Sequence, residues 1–305
     1  MTSTSTTPTS LDAIASPNGT FAVVAMDQRN TLRRMYAAVG IDDPAVDELT
    51  AIKADVVEAL APAASAFLLD PTFGVPALDQ VDRSADFGVL VAAEPESRLS
   101  WQGEPRASLD PGQDAAWVRA QGGSALKFLI QVRADRPAVP GEPDLTAEAL
   151  DVISQVVADC REAGVPSVIE NLIYPLPGED LTPERRADAI IEAARALDDL
   201  GPDLLKLEYP GDPASCRRLA EAIRSPWAVL SAGVDFDIFT DVLRVSCDEG
   251  GASGFIAGRA VWKDAVGMAP EERRAHLASE GLRRLEGCVA AIDGRARPWR
   301  EAISS

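Results

Sequence analysis

Short apolar runs alternate with longer amphipathic stretches along this chain. The runs cover residues 21–26, 66–69, 87–91, 125–130, 167–169, 204–207, 227–230 and 254–257. Each has strand length, and few alternate strictly with polar residues. Such runs predict strands buried on both faces, as in a parallel sheet. Most intervals carry a helical pattern. Residues 43–60 place Val46, Leu49, Ile52, Val56 and Leu60 close to a 3.6-residue period. A helix over 146–163 opens with a capping box at Thr146. One over 182–200 opens with Thr182 as N-cap and Pro183 in the first helical position. Further helices fall at 215–223 and 235–245, and one or two more follow Pro270.

Eight strands alternating with helices over about 250 residues predict a (β/α)8 barrel with extra C-terminal helices. The competing doubly wound fold advertises a Gly-rich turn after its first strand. Here that strand runs into Met26-Asp27-Gln28-Arg29, with no GxGxxG. Residues 1–15 read as a disordered tail and 16–305 as a single barrel domain. The Pro/Gly-rich stretch 94–112 reads as a long loop after the third strand.

Composition narrows the chemistry. The chain of 305 residues is 46% hydrophobic and 25% charged, a globular balance. Its net charge of −19 argues against nucleic acid or an anionic membrane as partner. No apolar run approaches the roughly 20 residues of a membrane helix, and no leader pattern precedes the first strand. A cytoplasmic protein is expected, with a homo-oligomer left open. The four cysteines are scattered and read as inert buried thiols. The single histidine, His276, leaves no His-cluster metal site and no His-dependent triad, so neither metal nor cofactor is expected.

Among 29 basic residues only four are Lys: Lys53, Lys127, Lys206 and Lys263. In a barrel the active site lies at the C-terminal strand ends. The residues closing the apolar runs are Asp27, Asp70, Glu94, Lys127, Glu170, Lys206, Ser231 and the pair Gly258-Arg259. Two lysines are therefore at the expected site of a chain that otherwise uses Arg. An amine can lose its proton and attack a carbonyl, whereas a guanidinium does not. Both lysines have apolar sequence neighbours, a setting that disfavours the charged amine. The competing reading is a lysine that only pairs with Glu170 or Glu208. Glu170 stands next to the strand of Lys206, where a carboxyl could shuttle protons. Ser231-Ala232-Gly233 and Gly258-Arg259 close the last two strands, the place of the phosphate site common in barrels. Arg259 would add a charge-assisted contact.

These segments together resemble a known family. Residues 25–29 with 32–35, 125–129, Ile169-Glu170 with Tyr174, 203–208, 230–234 and 258–262 are similar to the tagatose-1,6-bisphosphate aldolases and the related sulfofructose-phosphate aldolases. The resemblance implies a class I aldolase on a (β/α)8 barrel, a lyase without metal. It implies Lys206 as the Schiff-base lysine and Glu170 as the proton-transferring carboxyl. Asp27, Gln28 and Lys127 fall on positions that contact substrate or tune the lysine, and Asp70 is a further candidate for substrate hydroxyls. Ser231, Gly233, Gly258 and Arg259 fall on the phosphate loops. The implied partner is a phosphorylated ketose, cleaved to dihydroxyacetone phosphate and a three-carbon aldehyde. Those aldolases follow the fourth-strand lysine motif with Tyr residues; this chain reads Gln131-Val-Arg133-Ala-Asp135. Arg29, Arg133 and Arg136 are candidate anchors for a phosphate or sulfonate on C6. Two rival readings are a phosphate-binding isomerase or decarboxylase and a non-catalytic sugar-phosphate sensor.

Overall fold

The computed structural model describes residues 9–82 and 86–304. Ten strands are present among them: β1 (Phe21–Met26), β2 (Ala66–Leu69), β3 (Gly88–Ala92), β4 (Leu99–Trp101), β5 (Glu104–Arg106), β6 (Ala125–Ile130), β7 (Ser167–Asn171), β8 (Leu204–Leu207), β9 (Trp227–Val229) and β10 (Gly254–Ala257). Eight of them close a parallel barrel in the order β1-β10-β9-β8-β7-β6-β3-β2. The helices are α1 (Asn30–Ala38), α2 (Val46–Leu60), α3 (Gly74–Ala77), α4 (Ala115–Ala120), α5 (Leu145–Ala163), α6 (Pro183–Asp198), α7 (Pro213–Ala222), α8 (Phe236–Gly250), α9 (Arg259–Trp262), α10 (Pro270–His276), α11 (Leu282–Ile292) and α12 (Trp299–Ala302). The last three form the C-terminal addition, where one or two helices were expected.

Two apolar layers divide the core. Phe21, Val23, Ala25, Leu68, Ala92, Ala125, Val168, Leu204, Ala228 and Ile256 fill the barrel interior. The intervening strand residues, such as Val24, Leu69, Leu126, Ile169 and Leu205, pack outward against the helices. Side chains alternate along a strand, so an inward apolar residue fixes the direction of the residue two places on. Ala25 is followed by Asp27, Leu68 by Asp70 and Ala92 by Glu94. Ala125 is followed by Lys127, Val168 by Glu170 and Leu204 by Lys206. The polar cluster at the barrel mouth is thus the continuation of the apolar inner layers.

Four details differ from the sequence expectation. The stretch 94–112 contains an antiparallel hairpin, with Leu99 opposite Arg106 and Trp101 opposite Glu104. Gln102 and Gly103, both with positive φ, make its two-residue turn. The cap of α5 is Asp144, which accepts from Ala147 N at 3.0 Å, rather than Thr146. Thr146 instead donates to the Arg133 carbonyl at 2.8 Å. Helix α1, whose apolar face carries Leu32 and Tyr36, lies in a segment given no helix by its pattern. Finally, packing begins ahead of residue 16. Asp12–Ile14 form a 3-10 turn, and Leu11 and Ile14 bury their side chains under the barrel floor. Two apolar side chains in a polar segment suffice to dock it, which a compositional reading averages away. The expected tail at 1–8 lies outside the described residues.

Candidate active site

Lys206 emerges from the end of β8 with its partner Glu170 directly across the ladder on β7. Lys206 Nζ stands 2.9 Å from Glu170 Oε2. Both line an open cleft at the C-terminal ends of the strands. Asp27, Gln28, Arg29, Ser231, Gly258 and Arg259 line it too. Seven of the expected site residues therefore share one cleft with Lys206.

Lys127 is placed differently. It is fully buried and does not line the cleft. Its ammonium lies 2.7 Å from Asp27 Oδ2, 2.9 Å from Glu94 Oε1 and 2.8 Å from Glu170 Oε2. Burial alone would push its proton off, but Asp27, Glu170 and Glu94 outweigh that, and the amine is held well above its ordinary pKa. The desolvated amine expected at this position is thus a locked cation. Apolar sequence neighbours said nothing about three carboxylates arriving from other strands. Around it, burial raises Asp27 and Glu170, but Lys127 and then Lys206 overcome it, and both carboxyls are held below their usual range.

The cleft wall opposite Lys206 is the loop after β1. Gln28 Nε2 donates to Asp27 Oδ1 at 3.3 Å. Gln28 Oε1 is buried with no hydrogen-bond partner among the described residues, on a residue that lines the cleft. Arg29 donates to the Glu94 carbonyl at 3.2 Å.

The wall between Lys206 and the loop after β1 is formed by the loops after β9 and β10. Ala232 and Gly233 both have positive φ, 48° and 87°. A Cβ on Gly233 would stand 3.2 Å from the Arg259 guanidinium, so Gly233 acts by giving Arg259 room rather than by lining the cleft. Gly258 is obligatory for another reason: a Cβ there would lie 1.9 Å from the Ala25 carbonyl oxygen. Trp262 Nε1 donates to that same oxygen at 3.0 Å, which pins the loop to β1.

Asp70 is the first correction among the candidates. It is fully buried, paired with Lys53 and facing away from the cleft. Its second oxygen accepts Thr72 N at 3.0 Å and Phe73 N at 2.8 Å. A carboxyl that closes a strand and also caps the next turn has no lone pair left for substrate. Arg133 and Arg136 are the second correction. Arg133 is held by Asp135 and Glu179, and Arg136 by Glu104. Both are buried in these pairs and neither lines the cleft, so neither is free to anchor C6. Asp135 is local, two residues from Arg133, but Glu179 and Glu104 come from the loop after β7 and from the hairpin, beyond the reach of local sequence.

Arg34, Arg98, Arg186 and Glu208 line the cleft without having been expected there. Glu208 follows Lys206 by two residues, so strand alternation pointed to it. It pairs with Arg186 and accepts Ile173 N at 2.7 Å rather than bonding a lysine. Arg34 sits on α1, which the pattern gave no helix. Among the described residues, Arg29, Arg34, Arg98 and Arg259 line the cleft and pair with no carboxylate. An acidic protein with net charge −19 thus presents four arginines without a carboxylate partner at this opening.

Among the described residues no group of three or more His, Cys, Asp and Glu is placed to hold a metal ion. No helix there is long and apolar enough to cross a membrane. The four cysteines are free and buried.

A closed (β/α)8 barrel with a lysine, a carboxyl and unpaired arginines around one mouth defines a barrel enzyme for anionic small molecules. Residues 21–264 match the model of the DeoC/LacD family aldolases; the chain belongs to that family and is an aldolase, a carbon–carbon lyase. Tagatose 1,6-diphosphate aldolase 2 of Streptococcus pyogenes serotype M1 is 29% identical over 321 aligned positions, covering 94% of this chain and 95% of the relative. Among solved structures, an archaeal fructose 1,6-bisphosphate aldolase superposes with TM-score 0.61 at 17% identity, over 92% of this chain and 96% of the other. A Schiff base-forming fructose-1,6-bisphosphate aldolase gives 0.59 at 16%, with 92% and 96% covered.

Proposed function

We propose that the protein is a class I aldolase that cleaves a ketohexose 1-phosphate derivative through a Schiff base on Lys206. One observation carries this reading. Of the two lysines at the strand ends, Lys127 is locked by three carboxylates, while Lys206 faces the cleft with a single carboxyl at 2.9 Å.

In the proposed reaction the Lys206 amine adds to C2 of the ketose to give a carbinolamine. Loss of water leaves an iminium, with Glu170 exchanging the protons. A base, Glu170 or a group it orients, then takes the C4 hydroxyl proton. The C3–C4 bond breaks, the three-carbon aldehyde leaves, and the electron pair rests on C3 as an enamine. Protonation at C3 and hydrolysis release dihydroxyacetone phosphate and restore the amine. Lys127, itself held by Asp27, keeps Glu170 ionised and in place. The unpaired Gln28 Oε1 supplies an acceptor for a substrate hydroxyl.

Ser231, the Gly258 turn and Arg259, with room provided by Gly233, suit the phosphate. Arg29 and Arg98 suit a second anion at C6. A 6-phosphate agrees with the tagatose 1,6-diphosphate aldolases among the relatives; a 6-sulfonate is also an anion, with a single charge, and agrees with the sequence resemblance.

Borohydride reduction in the presence of tagatose 1,6-bisphosphate tests the mechanism. The expected result is a reduced three-carbon phosphate adduct on the Lys206 peptide. An unmodified Lys206, or an adduct that persists in Lys206→Met, overturns it. A cleavage assay over tagatose and fructose bisphosphates, sulfofructose 1-phosphate and 6-deoxy analogues assigns the group on C6.

A further inference from the structure

Lys53 is fully buried in the middle of α2, on the face that carries Leu49, Ile52 and Val56. An apolar side chain would satisfy that packing without the cost of burying an ammonium. The ammonium has three donors. They go to the carbonyl of Met26, to the carbonyl of Gln28 at 3.0 Å, and to Asp70 Oδ1. The two carbonyls flank Asp27. Asp70 in turn holds the turn after β2 through Thr72 N and Phe73 N. One buried cation therefore ties the exit of β1 to the exit of β2, directly behind the segment that presents Asp27 and Gln28 to the cleft.

We infer that Lys53 is a positioning residue of the active site, fixing the Asp27-Gln28 backbone so that Asp27 meets Lys127 and Gln28 meets substrate. The inference rests on the Schiff-base reading above. It also accounts for a third lysine in an arginine-rich chain. A small tetrahedral ammonium can serve two carbonyls and a carboxylate converging from different directions, where a planar guanidinium cannot. None of the three Lys53 hydrogen bonds goes to the phosphate loops, and the loop after β10 is anchored to β1 separately, by Trp262 on the Ala25 carbonyl. Loss of Lys53 should disturb the chemical step and spare phosphate binding.

The test is the double variant Lys53→Met with Asp70→Asn, which leaves no unpaired buried charge. Steady-state cleavage of tagatose 1,6-bisphosphate, inhibition by inorganic phosphate, and the borohydride-trapped adduct are measured on it and on the wild type. The expected result is a fall in kcat of about 10- to 100-fold, the scale of a misplaced reacting group. Phosphate inhibition should stay within about threefold, because a positioning defect removes no phosphate contact. A folded double variant with kcat within about twofold of wild type overturns the inference, as does a loss shared equally by kcat and phosphate inhibition. If the double variant does not fold, Lys53→Gln is read in the same way: a kcat loss of at least about fivefold with phosphate inhibition kept supports it, and unchanged kcat overturns it. A wild type that cleaves but forms no adduct overturns the Schiff-base reading and this inference together. A wild type that forms the adduct beside unaffected variants overturns the role of Lys53 alone.

Discussion

Lys127 and Lys206 meet on a single oxygen, Oε2 of Glu170, at 2.8 Å and 2.9 Å. The two amines are chemically the same residue with opposite situations. Lys127 holds two further carboxylates and stays charged. Lys206 has only the shared one and opens on the cleft.

That asymmetry separates two substitutions. Lys206→Met should lower kcat by at least about 10³-fold, the scale of losing a covalent nucleophile. It should leave folding nearly unchanged, because Glu170 keeps Lys127. Lys127→Met strands Asp27 and Glu94, while Glu170 keeps Lys206, and should cost about 3–5 kcal/mol of stability. Thermal melts beside kcat measure both, and a Lys127→Met that melts with the wild type would contradict the assignment of Lys127 as a structural cation.

The phosphate wall gives a different signature. Arg259→Ala should raise KM for a phosphorylated ketose and weaken inhibition by inorganic phosphate, with a loss of about 10- to 100-fold in kcat/KM, the worth of one charge-assisted contact. Gly258→Ala should lose stability as well, since its methyl would strike the Ala25 carbonyl at 1.9 Å. Equal phosphate inhibition in wild type and Arg259→Ala would remove Arg259 from the site.

Acid should unfold the protein through the carboxyls of the mouth and the nearby loops. Asp27 and Glu170 are held below their usual range by Lys127 and Lys206 against the upward pull of burial. Arg133 holds Glu179 at about 2. A group with a depressed folded pKa contributes stability above its unfolded value, about 3.9 for Asp and 4.3 for Glu. That contribution is lost as pH falls through the folded value. The melting temperature should hold above about pH 5 and decline steadily below it. A flat profile from pH 5 to pH 3 would show that these pairs add nothing to folding.

The cysteines make a fourth expectation. Burial pushes the thiols of Cys216, Cys247 and Cys288 up to about 12. Cys160 is raised as well, also by burial. Native protein at pH 8 should show no fast-reacting thiol toward a disulfide reagent, and four after denaturation. A stoichiometric fast thiol in the native state would contradict the packing around one of them.

Much of the site was legible before folding, because the barrel converts a one-dimensional spacing into a place. Five of the eight barrel strands fall on the expected residues without change. Each inward apolar residue announces a mouth residue two positions later, which is how Asp27, Lys127, Glu170 and Lys206 could be named from the chain alone. The spacing could not tell Asp70 from Asp27. Both close strands, but one turns onto Lys53 and its own turn amides while the other faces the cleft. It could not find Glu179 for Arg133 or Glu104 for Arg136 either, since these carboxylates lie on another barrel loop and on the hairpin.

The sequence by itself determined the alternation of strands and helices, the mouth residues, the scarcity of lysine and the absence of a histidine cluster. These rest on local periodicity and on counting, which need no distances. Only the tertiary structure decided which lysine is locked by carboxylates and which opens on the cleft. That choice depends on how many carboxylates reach each amine, and those of Lys127 come from positions 33, 43 and 100 residues away in the chain. Charge compensation is a sum over neighbours in space, so it exists only once the barrel has closed.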